Sequence, residues 1–185
     1  GLRVAAAAPA ATPQPAAELP GGSRAPANSV IPAIYRDWIE PDRDEALVPV
    51  GDTTAEQRPA PIVIPRVAVD APVVPGDDWE ALKRGTGHHP GSANPGARGN
   101  MVISAHNDIF GEIFRDLHQL EVGDEVMVYD AAGQAYRYIV GSKRIVDPTE
   151  VSVLDPTNEP VVTLITCHPY LIDTQRLIVV AELSP

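Results

Sequence analysis

The spacing of apolar and polar residues changes near residue 60, and the chain beyond that point reads as short strands joined by turns. "PIVIPRVAVDAPVV" is rich in β-branched residues and interrupted by Pro65 and Pro72, which suits edge strands or strands with bends. "DDWEALKRG" predicts one short helix: Asp77 or Asp78 can cap its free N–H groups, Trp79 and Leu82 share a face, and Gly85 ends it. "GTGHHPGSANPGARGN" is dense in Gly and Pro and predicts a loop. "MVISA" is a strand that stops at His106, and "EIFRDLHQL", with Ile113, Leu117 and Leu120 near helical spacing, predicts a second short helix. In "DEVMVYDAAGQAYRYIV", Val126 and Val128 alternate, "DAAG" turns, and Tyr136, Tyr138 and Val140 alternate again, as in a hairpin. "KRIVDPTEVSVLDPTNEPVVTLITC" joins a strand, a long polar loop and another strand, and "RLIVVAEL" closes the pattern. Short strands with two short helices predict a mainly β domain, a barrel or a sandwich.

The earlier residues change this picture little. Positions 1–27 are mostly Ala, Pro and Gly, and 13 of the 20 prolines fall within the first 75 residues. Such a stretch cannot bury enough apolar area to offset its ordering entropy. Residues 1–59 therefore read as a linker and N-terminal extension, and 60–185 as the domain. Within 28–59, Ile34, Tyr35, Trp38 and Ile39 give the extension something to pack with, without much regular structure. No window reaches the roughly 18 consecutive apolar residues of a membrane span. The chain opens on Gly, which is consistent with a trimmed form that has lost an N-terminal anchor. The net charge of −11 divides into −3 for residues 1–59 and −8 for 60–185, so both parts are acidic and nucleic acid is a poor partner.

One cysteine excludes an internal disulfide and leaves two readings, a small buried hydrophobe or a nucleophile. On a strand, Cys167 shares a face with Val161, Thr163 and Ile165, and Pro169 then stops the ladder. A thiol at the end of a buried strand is held rigidly yet can reach a cleft. To act, it needs a cation nearby and a proton donor for the leaving group. Five histidines are available. His168 faces away from its neighbour, His118 sits in a helical stretch, and His88 and His89 lie in a Gly/Pro loop. His106 ends an apolar strand as Cys167 does, which makes it the best acid/base candidate. Arg176 starts the last strand, and if 168–175 is a connection it stands opposite Cys167, where a guanidinium would stabilise a thiolate and an oxyanion.

These residues carry a resemblance. "TLITC" resembles the Thr-Leu-x-Thr-Cys signature of sortases, the cysteine transpeptidases of bacterial surfaces, and both "RLIV" downstream and "PGSANPGARGNMVISAHND" upstream are similar to that family. The resemblance covers about residues 60–185 and implies a closed eight-stranded β-barrel. It makes Cys167 the nucleophile, His106 the acid/base and Arg176 the oxyanion and substrate-positioning group, with Thr163 and Thr166 of the signature as substrate-binding residues. It further implies that Val151, Val153 and Leu154, in the loop before the cysteine strand, receive an apolar residue of the substrate. The implied partners are a Leu-Pro-x-Thr-Gly-like sorting-motif peptide of surface proteins or pilins and an amine acceptor, a cell-wall precursor or a pilin lysine. The implied place is the outer face of the bacterial membrane, held by a segment not in this chain. No cofactor and no metal are implied. Ala105 and Asn107 flank the histidine where many members have Gly and Arg, which leaves the subclass open.

Other readings remain beside this one. "RDWIEPD" resembles the lid of pilin-building sortases, making Asp37 and Trp38 possible lid residues; ordinary packing of Trp38 is the alternative. "ELPGGS" is similar to a sorting motif at Leu19, Pro20 and Gly22, but its composition also fits the surrounding linker. His88, His89, Cys167 and His168 match no closed tetrahedral zinc spacing, and the acidic residues match no EF-hand spacing. An L,D-transpeptidase would carry a Ser-His-Gly-Cys stretch, whereas Ile165 and Thr166 precede Cys167 here. A non-catalytic extracellular β-domain binding a partner through its groove would keep its function in Cys167→Ala.

Overall fold

The computed structural model describes residues 57–185. Its strands are β1 (Pro59–Ile64), β2 (Val69–Pro75), β3 (Thr86–His88), β4 (Gly99–Ser104), β5 (Glu125–Asp130), β6 (Ala135–Val146), β7 (Pro160–His168) and β8 (Gln175–Leu183). These eight strands close into a barrel in the order β1-β2-β3-β4-β7-β8-β6-β5, the mainly β, eight-stranded barrel expected from the resemblance. The β2–β3 and β4–β7 pairs are parallel and the rest antiparallel.

Alternation of side chains explains which face each strand buries. Val162 and Leu164 of β7 and Leu177, Val179 and Ala181 of β8 join Met101, Ile103, Val126, Val128 and Tyr138 in the main core. The intervening residues Val102, Ile165 and Ile178 face outward, where Val153 and Leu154 from the β6–β7 connection cover them as a second, smaller cluster. Cys167 continues the outward series of β7, so the thiol sits on the outer face of the barrel at the end of a strand packed on both sides.

Several local expectations are corrected. The Gly/Pro-rich run after residue 85 is not all loop, because Thr86–His88 forms β3 between β2 and β4. Propensity hides this strand: a Cβ at Gly87 would meet Gly76 O at 2.4 Å, so glycine is required there for close backbone approach. The helix α1 (Trp79–Leu82) is capped by Asp78, whose carboxylate accepts from Ala81 N–H at 2.8 Å. It ends at Leu82, with Lys83 as its C-cap, before Gly85. Gly85 instead lets the chain pass Pro72, whose carbonyl a Cβ would meet at 2.5 Å.

The second short helix, expected over "EIFRDLHQL", is only a 3-10 turn, Leu117–Gln119. Leu117 and Leu120, three apart, suit that tighter period, and both are fully buried with Phe114. The proline-interrupted strands are not edges, since closure leaves none; Pro65 instead opens a 3-10 turn, Pro65–Val67, between β1 and β2. The 147–160 connection contains another 3-10 turn, Val151–Leu154.

Candidate active site

Strand register brings the sequence-derived trio to one end of the barrel. Cys167 and Arg176 are direct cross-strand partners on β7 and β8. On the other side of β7, Ser104 of β4 pairs with Ile165, and Ala105 N–H donates to Ile165 O at 3.2 Å. His106 and Cys167 each lie two residues beyond that Ser104–Ile165 pair, on the same outward series. Two side-chain bonds tie this region further: Thr166 Oγ1 donates to Ala105 O at 2.8 Å, and Asn107 Nδ2 to Cys167 O at 2.9 Å.

His106 is only 4% exposed. Its ring meets Trp79 of α1 edge-on, centroids 5.3 Å apart, and Phe110 at 5.5 Å. Trp79 and Phe110 also touch each other edge-on, so the imidazole has aromatic neighbours from α1 and from the connection after β4. Its Nε2 has no protein partner and is therefore available for a proton. Burial lowers the pKa of His106, opposed by the charge of Asp108. Burial pushes the Cys167 thiol up to about 11; Arg176 pulls it down, while Asp173 and Asp108 add to the rise. The resting pair at neutral pH is thus a thiol and a neutral imidazole.

Arg176 Nη1 donates to Asp173 O at 3.1 Å and Gln175 O at 2.8 Å, and no carboxylate forms an ion pair with the guanidinium among the described residues. The carboxyl of Asp173, whose Oδ1 is buried without a partner, is influenced by that of Asp108; burial first, then the neighbouring carboxylate, raise it to about 6. The 107–116 and 168–175 connections also meet through Tyr170, whose hydroxyl donates to Glu112 Oε1 at 3.0 Å while Arg115 lies over its ring.

The remaining sequence-derived residues are placed as follows. Thr163 is buried on the outward face, its hydroxyl donating to Asn100 Oδ1 at 2.7 Å. Asn100 Nδ2 in turn donates to Val153 O and Asp155 O, pinning the 151–154 turn against β4. Val153 and Leu154 are buried against Val102 and Ile178, so of the three valine and leucine positions only Val151 keeps surface to offer a ligand. Thr166 points into the barrel, with its hydroxyl occupied by Ala105. Asp37 and Trp38 lie outside the described residues. His88 bonds Ala93 O and His89 bonds Asp77, both in local structure away from the thiol. Among the described residues no group of three or more His, Cys, Asp or Glu is placed to share a metal ion.

Sequence reasoning missed Trp79 and Phe110 against His106, the Asp108–Asp173 pair and the Asn107 tether. The one signal in the chain was the polar run "HND" directly after a buried strand.

Comparison with known proteins bears on the family and the fold. The family model described as the sortase domain matches residues 62–184. Sortase D of Bacillus subtilis is 32% identical over 108 residues, 58% of this chain and 52% of its own length. Sortase SrtE1 of Streptomyces coelicolor is 30% identical over 173 residues, 85% of this chain and 47% of its own. The chain spans about half the length of these curated relatives. Among solved structures, sortase C1 of GBS Pilus Island 1 superposes with a TM-score of 0.64 at 31% identity, covering 68% of this chain and 64% of that one. A barrel of this topology, the thiol at the end of β7 and a family model spanning nearly all described residues lead to one conclusion: the chain belongs to the sortase family.

Proposed function

We propose that the protein is a cysteine transpeptidase that cleaves a Leu-Pro-x-Thr-Gly-like sorting motif and passes the acyl fragment to an amine. The reading is carried by one observation, the cross-strand pairing of Cys167 with Arg176, with His106 two residues beyond the last register pair of β4 on β7. Family membership supports it in general terms.

In this reading the thiol proton passes to His106 as Cys167 Sγ attacks the scissile carbonyl. Arg176 stabilises the oxyanion, where a donor aimed at developing charge is worth more than in water. Collapse breaks the C–N bond, and His106 returns its proton to the leaving amine, leaving a thioester on Cys167. The acceptor amine then attacks the thioester, giving up its proton to His106, and the peptide bond and free thiol are regenerated. Raised thiol and lowered imidazole pKa values keep both groups neutral at rest, so that the proton moves from sulfur to imidazole as the thiol attacks.

The substrate groove runs over the outward face at the active end of β4 and β7, with Val151 along it, Thr163 buried beneath it against Asn100, and Val153 and Leu154 fixing its wall. Thr166 serves from behind, through Ala105. The barrel from about residue 60 is the catalytic unit. A pilin lysine is the favoured acceptor in view of the pilus-island neighbour, with a cell-wall amine the other.

A fluorogenic sorting-motif peptide and an amine acceptor test this. Turnover to the ligated product is expected, and none with Cys167→Ala. Turnover that survives the substitution, or none across a library of motifs, overturns the reading.

A further inference from the structure

The main-chain ladder between β4 and β7 stops just short of the chemistry. Its last register pair is Ser104 with Ile165, and Ala105 N–H to Ile165 O is the last main-chain bond between them. In a regular parallel ladder the next two would be Cys167 N–H to Ala105 O and Asn107 N–H to Cys167 O. Both acceptors are occupied, but by side chains: Thr166 Oγ1 takes Ala105 O and Asn107 Nδ2 takes Cys167 O. These two bonds extend the pairing through the stretch that holds His106 and Cys167.

Asn107 is 3% exposed, and its Oδ1 is buried with no partner. A buried amide with one unsatisfied atom is a poor choice for stability alone. A leucine would fill similar space without an orphaned acceptor. Only a side-chain N–H donor of this length reaches the carbonyl of the cysteine, since a serine is shorter and an ionised aspartate has no donor.

We infer that Asn107 is a positioning residue that substitutes for the missing ladder bond and holds the imidazole of His106 in proton-transfer register with the thiol of Cys167. The inference rests on the proposed roles of Cys167 and His106. Proton transfer requires hydrogen-bond reach, and a displacement of about 1 Å lowers rates by up to about 100-fold. Without the tether the segment after β4 is joined to the end of β7 by fewer bonds, and the distance between imidazole and thiol is no longer fixed. Peptide affinity, set along the outward face of the barrel, is unaffected.

The test uses the whole chain with Asn107→Leu and Asn107→Asp, measuring kcat, KM, Tm and the rate of iodoacetamide alkylation of Cys167. For Asn107→Leu, kcat falls about 10- to 100-fold, while KM and the alkylation rate stay within about twofold and Tm within a few degrees. For Asn107→Asp, kcat falls at neutral pH, and the ratio of variant to wild-type kcat rises toward acid as the carboxyl gains a proton to donate. Wild-type kcat in Asn107→Leu overturns the inference. Should that variant not fold, a flat ratio with pH in Asn107→Asp overturns it instead. A wild-type protein without Cys167-dependent turnover is a different result, and removes the proposed function itself.

Discussion

The barrel wall and the two connections at its active end are built on opposite terms. β7 and β8 pair at eight consecutive positions, from Val161 with Glu182 to His168 with Gln175, without a register shift. The connections over 107–116 and 168–175 hold four of the five non-glycine residues with positive φ among the described residues: Phe110, Glu112, Leu171 and Asp173. They also hold five of the seven exposed large hydrophobics among the described residues, Ile109, Phe110, Tyr170, Leu171 and Ile172. Left-handed backbone is disfavoured by about 1–2 kcal/mol per such residue, and exposed apolar side chains gain nothing from burial. Cys167 and Arg176 are thus fixed by a ladder that cannot drift, while the rim tolerates strain and apolar exposure that a merely stabilising loop would not. Wall substitutions should change chemistry or folding, and rim substitutions should leave the thiol intact and change binding or pH response.

The largest effect belongs to the wall. Cys167→Ala should abolish transfer with little change in Tm, read by the peptide assay and a melting curve. Arg176→Ala should lower kcat/KM by about 100- to 1000-fold, the size of losing one oxyanion donor. The same variant loses the cation that pulls the thiol pKa down, so alkylation of Cys167 at fixed pH should slow. Unchanged alkylation would place the guanidinium too far away to matter. Leu164→Ala, wholly inside the barrel, should reduce unfolding free energy by about 2–5 kcal/mol in urea titration. A smaller loss would mean the interior repacks more freely than its density implies.

Rim effects are smaller. Asp173 sits at about 6 rather than 3.8, so the folded state binds its proton more tightly than the unfolded one. Its contribution to stability is complete below about pH 4 and is lost as pH rises through about 6. Tm followed from pH 4 to 7 should therefore decline less in Asp173→Asn than in wild type, and asparagine also suits the φ of 60° there. Parallel curves would separate the Asp108–Asp173 contact from stability. Least of all, Leu171→Gly, at φ 64° and 68% exposed, should raise stability by at most about 1 kcal/mol, since relief of left-handed strain is partly offset by glycine's entropy.

The same contrast explains what could be read from the chain. The nearly continuous apolar runs "VVTLIT" and "RLIVVAEL" give β7 and β8, strand geometry puts Cys167 on the face of Val161, Thr163 and Ile165, and strand ends at His106, Cys167 and Arg176 give their common level. β3 was hidden because its strand character comes from a close approach at Gly87, not from β-branched residues. The second helix was misjudged because an i, i+3 leucine pair fits a 3-10 turn as well as an α-helix. Trp79 against His106, 27 residues apart, and Asp108 against Asp173, 65 apart, depend on how irregular loops fold over the barrel end, which no local period encodes.

The central claim is that an acyl group rests on one sulfur. Intact-mass measurement of the protein mixed with a sorting-motif peptide and no acceptor tests it most directly. The expected result is a mass gain equal to the fragment before the scissile bond, mapped to Cys167 and discharged by added amine. An unmodified Cys167 while the peptide is being cleaved, or an adduct on another residue, would contradict it.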